Sequence, residues 1–438
     1  MNGEILQNFE MLKRRCDFYF SRVLNQPPNK PELVILDLTH KCNLKCVMCD
    51  IRRDKNTMEN ELKTEEIFKI IDEVASWGVP HLIFSGGEPF VRKDIFKLLS
   101  YAVKRGVPVG VLTNGTSLSS DMLKKFTNFL VNGDVSLTIS LDGFRRETHD
   151  YIRGVNGSFD KTLRTIKNVS KLKRKKGSKE FLEIITIILN QNLEELADIL
   201  NLVKKMGVSS IQFQPLLENN LVLEKRFTNS PLWVPQSRLP VLDSVIDELV
   251  EYKEKNYNFI SNPTEGLKLV KKYFRNQLTN KDIKCYSLFK TMLIANDGSV
   301  TTCGMKYGSV REKTLRECWR SKEALEARKK IKKCGKPCIL PCFTDAYLNN
   351  LLTIYESFLK SLEKLNINKN EKNKITRRFL AIIKKYELLL TIKKSEITNL
   401  VKHKTIQANK YDIGEIDDAL NQIQTVKKRL KKYNDYNE

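Results

Sequence analysis

The sequence lacks any hydrophobic run long enough to cross a membrane. None of its apolar stretches reaches the roughly 18 to 20 residues that a transmembrane helix needs, although 41% of the residues are hydrophobic. The N-terminus, residues 1–15, is polar and charged and contains no apolar signal-peptide core. These two absences predict a globular protein that stays in the cytoplasm.

Acidic residues are also few for the number of basic ones. Lys and Arg total 76 against 52 Asp and Glu, which gives a formal net charge of +24 over 438 residues. Such an excess suits RNA, DNA or an acidic peptide as a partner. The excess is mainly lysine spread along helical segments. Solvent-exposed helix faces explain this distribution better than a binding site for nucleic acid or an acidic peptide does. Nucleic acid is therefore the less favoured partner, and the length predicts two or three domains.

The ten cysteines gather mainly in two parts of the chain. In a reducing cytosol, grouped cysteines indicate metal ligation more than disulfides. The first group, Cys42, Cys46 and Cys49, has the spacing C-x3-C-x2-C directly after an apolar run. A four-iron cluster uses four thiolates, so three would leave one iron open to bind a substrate. Buried structural cysteines are one alternative, and zinc is another, with His40 as the only local fourth ligand.

From residue 33 onwards, strand-like apolar runs alternate with segments of about a dozen residues that show helical periodicity. This alternation is typical of βα units with parallel strands. The six predicted strands are 33–38, 81–85, 107–113, 135–141, 181–189 and 211–216. The predicted helices between them are 64–77, 94–105, 119–129, 158–173 and 193–206. Six units are too few for a closed eight-stranded barrel. We expect an open, TIM-like partial (βα)6 barrel with its active site at the carboxyl ends of the strands.

The first cysteine group resembles the cluster motif of the radical S-adenosylmethionine (SAM) enzymes. In that family three cysteines hold a [4Fe-4S] cluster, and its open iron chelates the amino and carboxylate groups of SAM. The resemblance implies that one electron cleaves SAM to methionine and a 5′-deoxyadenosyl radical, which abstracts a hydrogen atom from the substrate. It also implies an electron donor such as flavodoxin or ferredoxin. Cys42, Cys46 and Cys49 would then be the catalytic cysteines.

Polar segments at the ends of the next strands extend the resemblance. Gly86, Gly87 and Glu88 follow the second strand and resemble the family's GGE motif, which holds the amino group of SAM. Two glycines let the backbone approach a ligand closely, and a carboxylate can accept from an ammonium group. In the family, polar residues at the third and fourth strand ends contact the rest of SAM. The candidates at these positions are Asn114, Ser140 and Asp142.

The segment 149–159, HDYIRGVNGSF, resembles one found in SAM enzymes that carry C-terminal clusters. Its Arg153 is a candidate partner of the SAM carboxylate, because a guanidinium fork suits bidentate contact. A salt bridge that orders the loop is the alternative. The family's glycine-bearing adenine motif is not evident on the fifth strand, so adenine recognition stays unassigned.

A second group of cysteines follows near the end of the barrel sequence: Cys285, Cys303, Cys334, Cys338 and Cys342. A hairpin turn at 296–298 would bring Cys285 and Cys303 face to face. The group resembles the SPASM and twitch extensions, which hold auxiliary iron–sulfur clusters. The full SPASM pattern has seven cysteines, so five favour a single auxiliary cluster. Prolines stiffen the chain before Cys338 and Cys342, which favours these two as ligands and Cys334 as the spare. Structural zinc is the alternative.

These signals predict an α/β protein with five segments. They are an N-terminal helical segment (1–30), the barrel (31–216), a helical insertion (217–284), a small cysteine-rich α+β cluster domain (285–344) and a basic helical C-terminal appendage (345–438). Further helices are expected at 241–257, 264–277 and 314–333.

The substrate is not evident from the residues. A peptide or protein and a small metabolite both fit the resemblance, and the lack of a preceding winged-helix domain slightly weakens the leader-peptide hypothesis. The competing function is a non-catalytic iron–sulfur or zinc protein that binds nucleic acid or a partner protein through its basic surface.

Overall fold

The computed structural model describes residues 3–49, 51, 60–131, 135–176, 182–217, 230–256, 259–335, 337–342, 344, 350–363, 369–402 and 410–435. Two predicted element ends, Phe181 and Tyr257, lie outside these residues. The chain forms two compact units. The barrel unit is Lys30–Thr344, and the helical unit combines Met1–Asn29 with Asp345–Glu438.

The barrel unit is built on one sheet whose nine strands have the order β6-β5-β4-β3-β2-β1-β7-β8-β9. The strands are β1 (Leu33–Thr39), β2 (His81–Gly86), β3 (Val109–Thr113), β4 (Val135–Ser140), β5 (Leu182–Ile188), β6 (Ser210–Pro215), β7 (Thr291–Ile294), β8 (Ser299–Thr302) and β9 (Met305–Ser309). Strands β1 to β6 pair in parallel with their chain neighbours. The predicted open partial barrel is therefore confirmed.

Three short strands extend this sheet beyond β1. Strand β7 pairs with β1 in parallel, and β8 and β9 continue the sheet in antiparallel pairs. The β7–β8 pair confirms the hairpin predicted from the turn at 296–298. The extension of the barrel sheet was not predicted, because strands of four or five residues are too short to show a clear alternation.

Of the helices, the first precedes β1, and the others lie between or after the strands. They are α1 (Gly3–Leu24), α2 (Thr64–Trp77), α3 (Ile95–Lys104), α4 (Ser120–Val131), α5 (Arg146–Arg153), α6 (Ser158–Lys176), α7 (Leu196–Met206), α8 (Leu239–Lys255), α9 (Thr264–Phe274), α10 (Ser287–Lys290), α11 (Leu315–Arg320), α12 (Lys322–Lys332), α13 (Leu351–Glu363), α14 (Lys369–Lys402) and α15 (Lys410–Asp435). The predicted helix at 314–333 is wrong in one respect. Ser321 has extended backbone angles and caps α12 by accepting from the N–H of Ala324, which divides the segment into α11 and α12.

Alternating burial along the strands separates an outer face from an inner one. Val34, Leu36 and Leu38 of β1 are fully buried, whereas the intervening side chains, such as Ile35 and Asp37, are half-buried. The half-buried face is the lumen of the partial barrel, since residues of β1 to β5 on that face line a cavity of about 300 Å³. The barrel therefore has a hollow interior, and this cavity lies towards the amino ends of the strands, where Glu32, Leu33 and His81 line it.

The helical unit has a hydrophobic core of its own. The ring of Phe20 on α1 stacks on that of Tyr386 on α14, with centroids 4.1 Å apart. Arg22 is 2% exposed and pairs with Glu415 on α15 at 3.0 Å. The predicted helical C-terminal part is confirmed, and it packs on the first helix of the chain. Within the described residues, no helix has both the length and the apolar character that crossing a membrane requires.

Candidate active site

The first three cysteines lie on the loop that follows β1, at the carboxyl edge of the parallel strands. Cys42 is exposed, and Cys46 and Cys49 are half-buried. The N–H of Leu44 donates to Sγ of Cys42 at 3.4 Å, and that of Cys49 donates to the carbonyl of Cys46 at 3.3 Å. One short, turned loop therefore presents all three thiols.

This cysteine loop is fastened to the end of α5. The N–H groups of Lys45 and Val47 donate to the carbonyls of Arg153 and Ile152, at 3.1 and 2.9 Å. Gly154 follows with a φ of +67°, and a Cβ there would lie 2.1 Å from the carbonyl oxygen of Lys45. Only glycine permits both the left-handed backbone and this close approach. The segment 149–159 therefore holds the cysteine loop in place.

Gly86 and Gly87 bring the end of β2 against the backbone that leads into the same loop. A Cβ on Gly86 would lie 2.3 Å from the carbonyl oxygen of Thr39, and one on Gly87 would lie 2.3 Å from that of Lys41. The N–H of Gly87 donates to the Thr39 carbonyl at 2.7 Å. The close approach that these glycines permit is thus to the protein backbone beside the cysteine loop.

Glu88 is fully buried and joins β2 to β3. One carboxylate oxygen accepts from Phe90 N–H at 3.1 Å and from the Thr113 hydroxyl at 2.8 Å, and the other accepts from Asn114 N–H at 2.8 Å. Burial raises the pKa of Glu88 to about 6, although these hydrogen bonds oppose the rise. Both oxygens are therefore engaged in bonds that tie strand ends together.

Asn114 lies at the end of β3 and reaches the cysteine loop. Its amide nitrogen donates to Oδ1 of Asn43 at 2.9 Å and lies 3.8 Å from Sγ of Cys42. Its Oδ1 accepts from the N–H of Thr116 at 2.8 Å, which fixes the orientation of the amide. The structure thus places Asn114 as a neutral donor to the first thiol.

Asp142 and Arg153 form an ion pair beside the second thiol. Nη2 of Arg153 lies 2.5 Å from Oδ2 of Asp142, and the two side chains are 8% and 0% exposed. Nη1 of Arg153 lies 3.8 Å from Sγ of Cys46. The other candidate on this edge, Ser140, is half-buried at the end of β4 and is not part of the pair.

Asp150 orders the segment that carries Arg153. Its carboxylate accepts from Gly157 N–H at 2.6 Å, from the Ser158 hydroxyl at 2.7 Å and from Phe159 N–H at 2.8 Å. Sequence reasoning did not single out this residue. Its partners lie seven to nine residues further along the chain, beyond the reach of a local capping pattern, so no short sequence signal identifies it.

Glu195 is a second residue that sequence reasoning missed. It is buried after β5 and accepts from the N–H groups of Phe144 and Arg145, at 2.7 and 3.0 Å, and from the Thr148 hydroxyl at 2.6 Å. These bonds fix the start of α5. The partners lie about fifty residues away in sequence, so no local pattern could have revealed the contact.

In the second group, three thiols are close enough to Cys285 to affect it electrostatically. Burial raises the pKa of Cys285 well above its usual value, and the nearby thiols of Cys303, Cys338 and Cys334 raise it further. Cys303 has a φ of +47°, whereas the other described non-glycine residues with positive φ are asparagines. Cysteine rarely occupies this region, and such strain is concentrated at functional sites.

Cys342 lies on the wall of the lumen cavity. The hydroxyl of Thr291 donates to its carbonyl at 2.5 Å. The sequence predicts that Cys285 and Cys303 face each other across the hairpin, but Cys285 lies before the hairpin begins. Helix α10 lies between Cys285 and β7, so the β7–β8 register alone does not set the thiols opposite each other.

Two family models match this chain. The radical SAM superfamily model matches residues 36–203, and the SPASM model, an iron–sulfur cluster-binding domain, matches residues 285–344. The Fe-coproporphyrin III synthase of Methanosarcina barkeri is 30% identical over 321 residues, which cover 68% of this chain and 76% of that protein. The chain belongs to the radical SAM superfamily.

Two further proteins are similar to this radical SAM protein. The PqqA peptide cyclase of Granulibacter bethesdensis is 24% identical over 70% of this chain and 79% of its own length. The crystal structure of Streptococcus suis SuiB bound to the precursor peptide SuiA has a TM-score of 0.53 at 16% identity, covering 68% of this chain and 67% of SuiB. At that identity the likeness concerns the fold. The similar synthase and cyclase are enzymes, and so is this chain.

The family implies the cofactors of this radical SAM enzyme: a [4Fe-4S] cluster and SAM, with auxiliary iron–sulfur clusters in the SPASM domain. Among the described residues, no three Cys, His, Asp or Glu side chains converge as the ligands of a single metal ion do. Whether the cysteine loop fits a [4Fe-4S] cluster therefore depends on the chemistry of its thiols. Three thiols share one loop, and two of them already receive N–H donors, from Asn114 and from Arg153. Thiolates with such donors are what iron–sulfur clusters use.

Proposed function

We propose that this enzyme abstracts a hydrogen atom from a peptide, using a [4Fe-4S] cluster held by Cys42, Cys46 and Cys49. When bound, the cluster and SAM supply the 5′-deoxyadenosyl radical that removes the hydrogen atom. One observation carries the proposal: a single loop presents these thiols at the carboxyl edge of the parallel strands, where Asn114 and Arg153 donate to two of them.

The lumen wall would receive the substrate. The strand register aligns Thr138, Glu183 and Ser210 across β4, β5 and β6. Further along the same face of the sheet it aligns Asp37 of β1 with Ser85 of β2. These polar side chains offer hydrogen bonds, so they suit a single side chain or a short extended peptide.

Two carboxyl groups on the lumen face favour a peptide as the substrate: Glu183 lines the cavity, and Asp37 lies nearer the carboxyl edge. Burial raises the pKa of Asp37 to about 7 and also raises that of Glu183. Among the described residues, their hydrogen-bond partners are the hydroxyls of Ser85, Ser210 and Ser261, and no ion pair neutralises them. When protonated, both carboxyl groups can donate a hydrogen bond, which suits the carbonyl oxygens of a peptide. The similarity to a peptide cyclase supports the same choice.

The electron would come from a small donor protein such as flavodoxin or ferredoxin. The ten cysteines all occur as free thiols, which fits a reducing compartment and supports the cytoplasm as the place of the reaction.

Deuterium transfer tests the function even while the substrate is unidentified. An extract of cells grown in deuterated medium is separated into a peptide fraction and a small-molecule fraction. Each is added to the anaerobically reconstituted enzyme with dithionite and unlabelled SAM. We expect mass spectrometry to find deuterium in 5′-deoxyadenosine formed with the peptide fraction.

Two results of this experiment would count against the proposal. Label that arises only with the small-molecule fraction would replace the peptide by a metabolite. Unlabelled 5′-deoxyadenosine in both fractions would contradict abstraction from a substrate in the extract.

We further propose that Cys285, Cys303, Cys334 and Cys338 hold one auxiliary cluster. This choice differs from the ligand pair favoured by the prolines. It rests on the electrostatic effects of Cys303, Cys334 and Cys338 on Cys285 and on the position of Cys342 at the lumen cavity. Two four-iron clusters correspond to about eight irons per chain. Cys334→Ala should reduce the iron content to about four, and Cys342→Ala should leave it unchanged.

Metal analysis of the reconstituted variants checks this assignment. Iron loss in Cys342→Ala but not in Cys334→Ala would favour Cys338 and Cys342 as the ligand pair instead. Zinc in place of half of the iron in the wild-type protein would reject the auxiliary cluster.

A further inference from the structure

The ion pair between Asp142 and Arg153 is unusually well enclosed. Both side chains are buried, with a separation of 2.5 Å. The second oxygen of Asp142 accepts from the N–H of Ile187 on β5 at 2.9 Å. Asp142 is therefore held by Arg153 and by Ile187 N–H. These two contacts fix the orientation of its carboxylate and, through it, the position of the guanidinium.

The free arm of that guanidinium points at a thiol of the cysteine loop. Nη1 of Arg153 lies 3.8 Å from Sγ of Cys46, while Nη2 is engaged by Asp142. Cys42 also receives a donor, but from the neutral amide of Asn114. Of these two contacts, only the one to Cys46 brings a full positive charge to the sulfur.

A buried charge at this distance changes the energy of electron transfer. Reduction adds negative charge to a cluster, so a nearby cation stabilises the reduced form and a nearby anion destabilises it. Hydrogen bonds to the cluster sulfurs act in the same direction as the cation. Arg153 and Asp142 therefore have opposite effects, and Asp142 also determines where Arg153 lies.

We propose that Arg153 and Asp142 are positioning residues that set the reduction potential of the cluster bound through Cys46. This inference rests on the proposed cluster site. It concerns the contact of the pair with a thiol; contact of these residues with SAM stays a separate prediction. The pair would adjust how readily the bound cluster accepts its electron.

The test is a redox titration followed by electron paramagnetic resonance on the reconstituted full-length protein. The signal that changes on addition of SAM identifies the catalytic cluster and separates it from an auxiliary one. Arg153→Gln should shift its midpoint potential to more negative values. Asp142→Asn keeps the size of the side chain and the acceptor for Ile187 N–H, and should shift the potential to less negative values.

Arg146→Gln is the matched control. Arg146 lies on the same helix, but it is largely exposed and pairs with Asp160, so its removal should leave the potential unchanged. A role limited to folding would not give shifts of opposite sign for Arg153→Gln and Asp142→Asn.

Each outcome decides the inference. Unchanged potentials in both variants, or shifts of the same sign, would overturn it while leaving the cluster site intact. If Arg153→Gln does not retain the SAM-responsive cluster, Asp142→Asn decides alone, and a potential equal to or below that of the wild type overturns the inference. A wild-type protein without any SAM-responsive signal would instead overturn the proposed function, and this inference with it.

Discussion

Replacing Cys42, Cys46 and Cys49 together by Ala is expected to abolish the formation of 5′-deoxyadenosine. The three thiols are the metal-ligating groups of the loop after β1. Asn114 and Arg153 reach the loop through amide and guanidinium nitrogen atoms, which cannot replace thiolate ligands. Iron should fall from about eight to about four per chain, because the second cysteine group lies on a separate segment. Anaerobic reconstitution, iron analysis and chromatography of the reaction products measure both effects.

The comparison for this triple variant is Cys318→Ala. Cys318 is a buried cysteine of α11 whose Sγ lies against the carbonyl of Ser309, and the proposal gives it no iron. The Cys318→Ala variant should keep both the iron content and the 5′-deoxyadenosine yield of the wild-type protein. A triple variant that still produced 5′-deoxyadenosine would show that the catalytic cluster lies elsewhere.

The barrel was predictable because its signals are local. A parallel strand with one face against helices shows buried residues at every second position, as Val34, Leu36 and Leu38 do. Helix α2 buries Ile67, Ile70, Ile71 and Val74, at the spacing of three and four that marks a helix. Such patterns are complete within about ten residues, so the sequence alone shows them.

The contacts that complete the site are not local. The cysteine spacing reveals the thiols, but Asn114 and Arg153 approach them from positions 72 and 107 residues away. The same holds for Glu88. Its sequence neighbours predict a contact with SAM, which stays a prediction, and the fold adds contacts with Thr113 and Asn114. Strand register decides which donors a buried carboxylate meets. Register is a property of the folded sheet and not of any short stretch of sequence.

Gly154 shows how strongly such a distant contact can constrain one position. Gly154 and Gly157 belong to the same segment and have similar positive φ angles, +67° and +77°. An added Cβ would meet nothing within 4 Å at Gly157, but at Gly154 it would lie 2.1 Å from the carbonyl oxygen of Lys45. Left-handed backbone costs a non-glycine residue about 1 to 2 kcal/mol. Both Ala variants carry that cost, and only Gly154→Ala also collides with the cysteine loop.

Gly154→Ala should therefore displace the loop and lose the catalytic cluster, whereas Gly157→Ala should lose about 1 to 2 kcal/mol of unfolding free energy and keep the cluster. The expected readouts for Gly154→Ala are about four irons per chain instead of about eight and no 5′-deoxyadenosine. Denaturant unfolding of both variants measures the shared backbone cost. Because the collision is with a backbone carbonyl, a rotamer change cannot relieve it, and the 3.1 Å hydrogen bond from Lys45 N–H to Arg153 must lengthen. Equal iron contents in the two variants would mean that the loop yields without losing its ligand geometry, and that α5 does not hold the thiols in place.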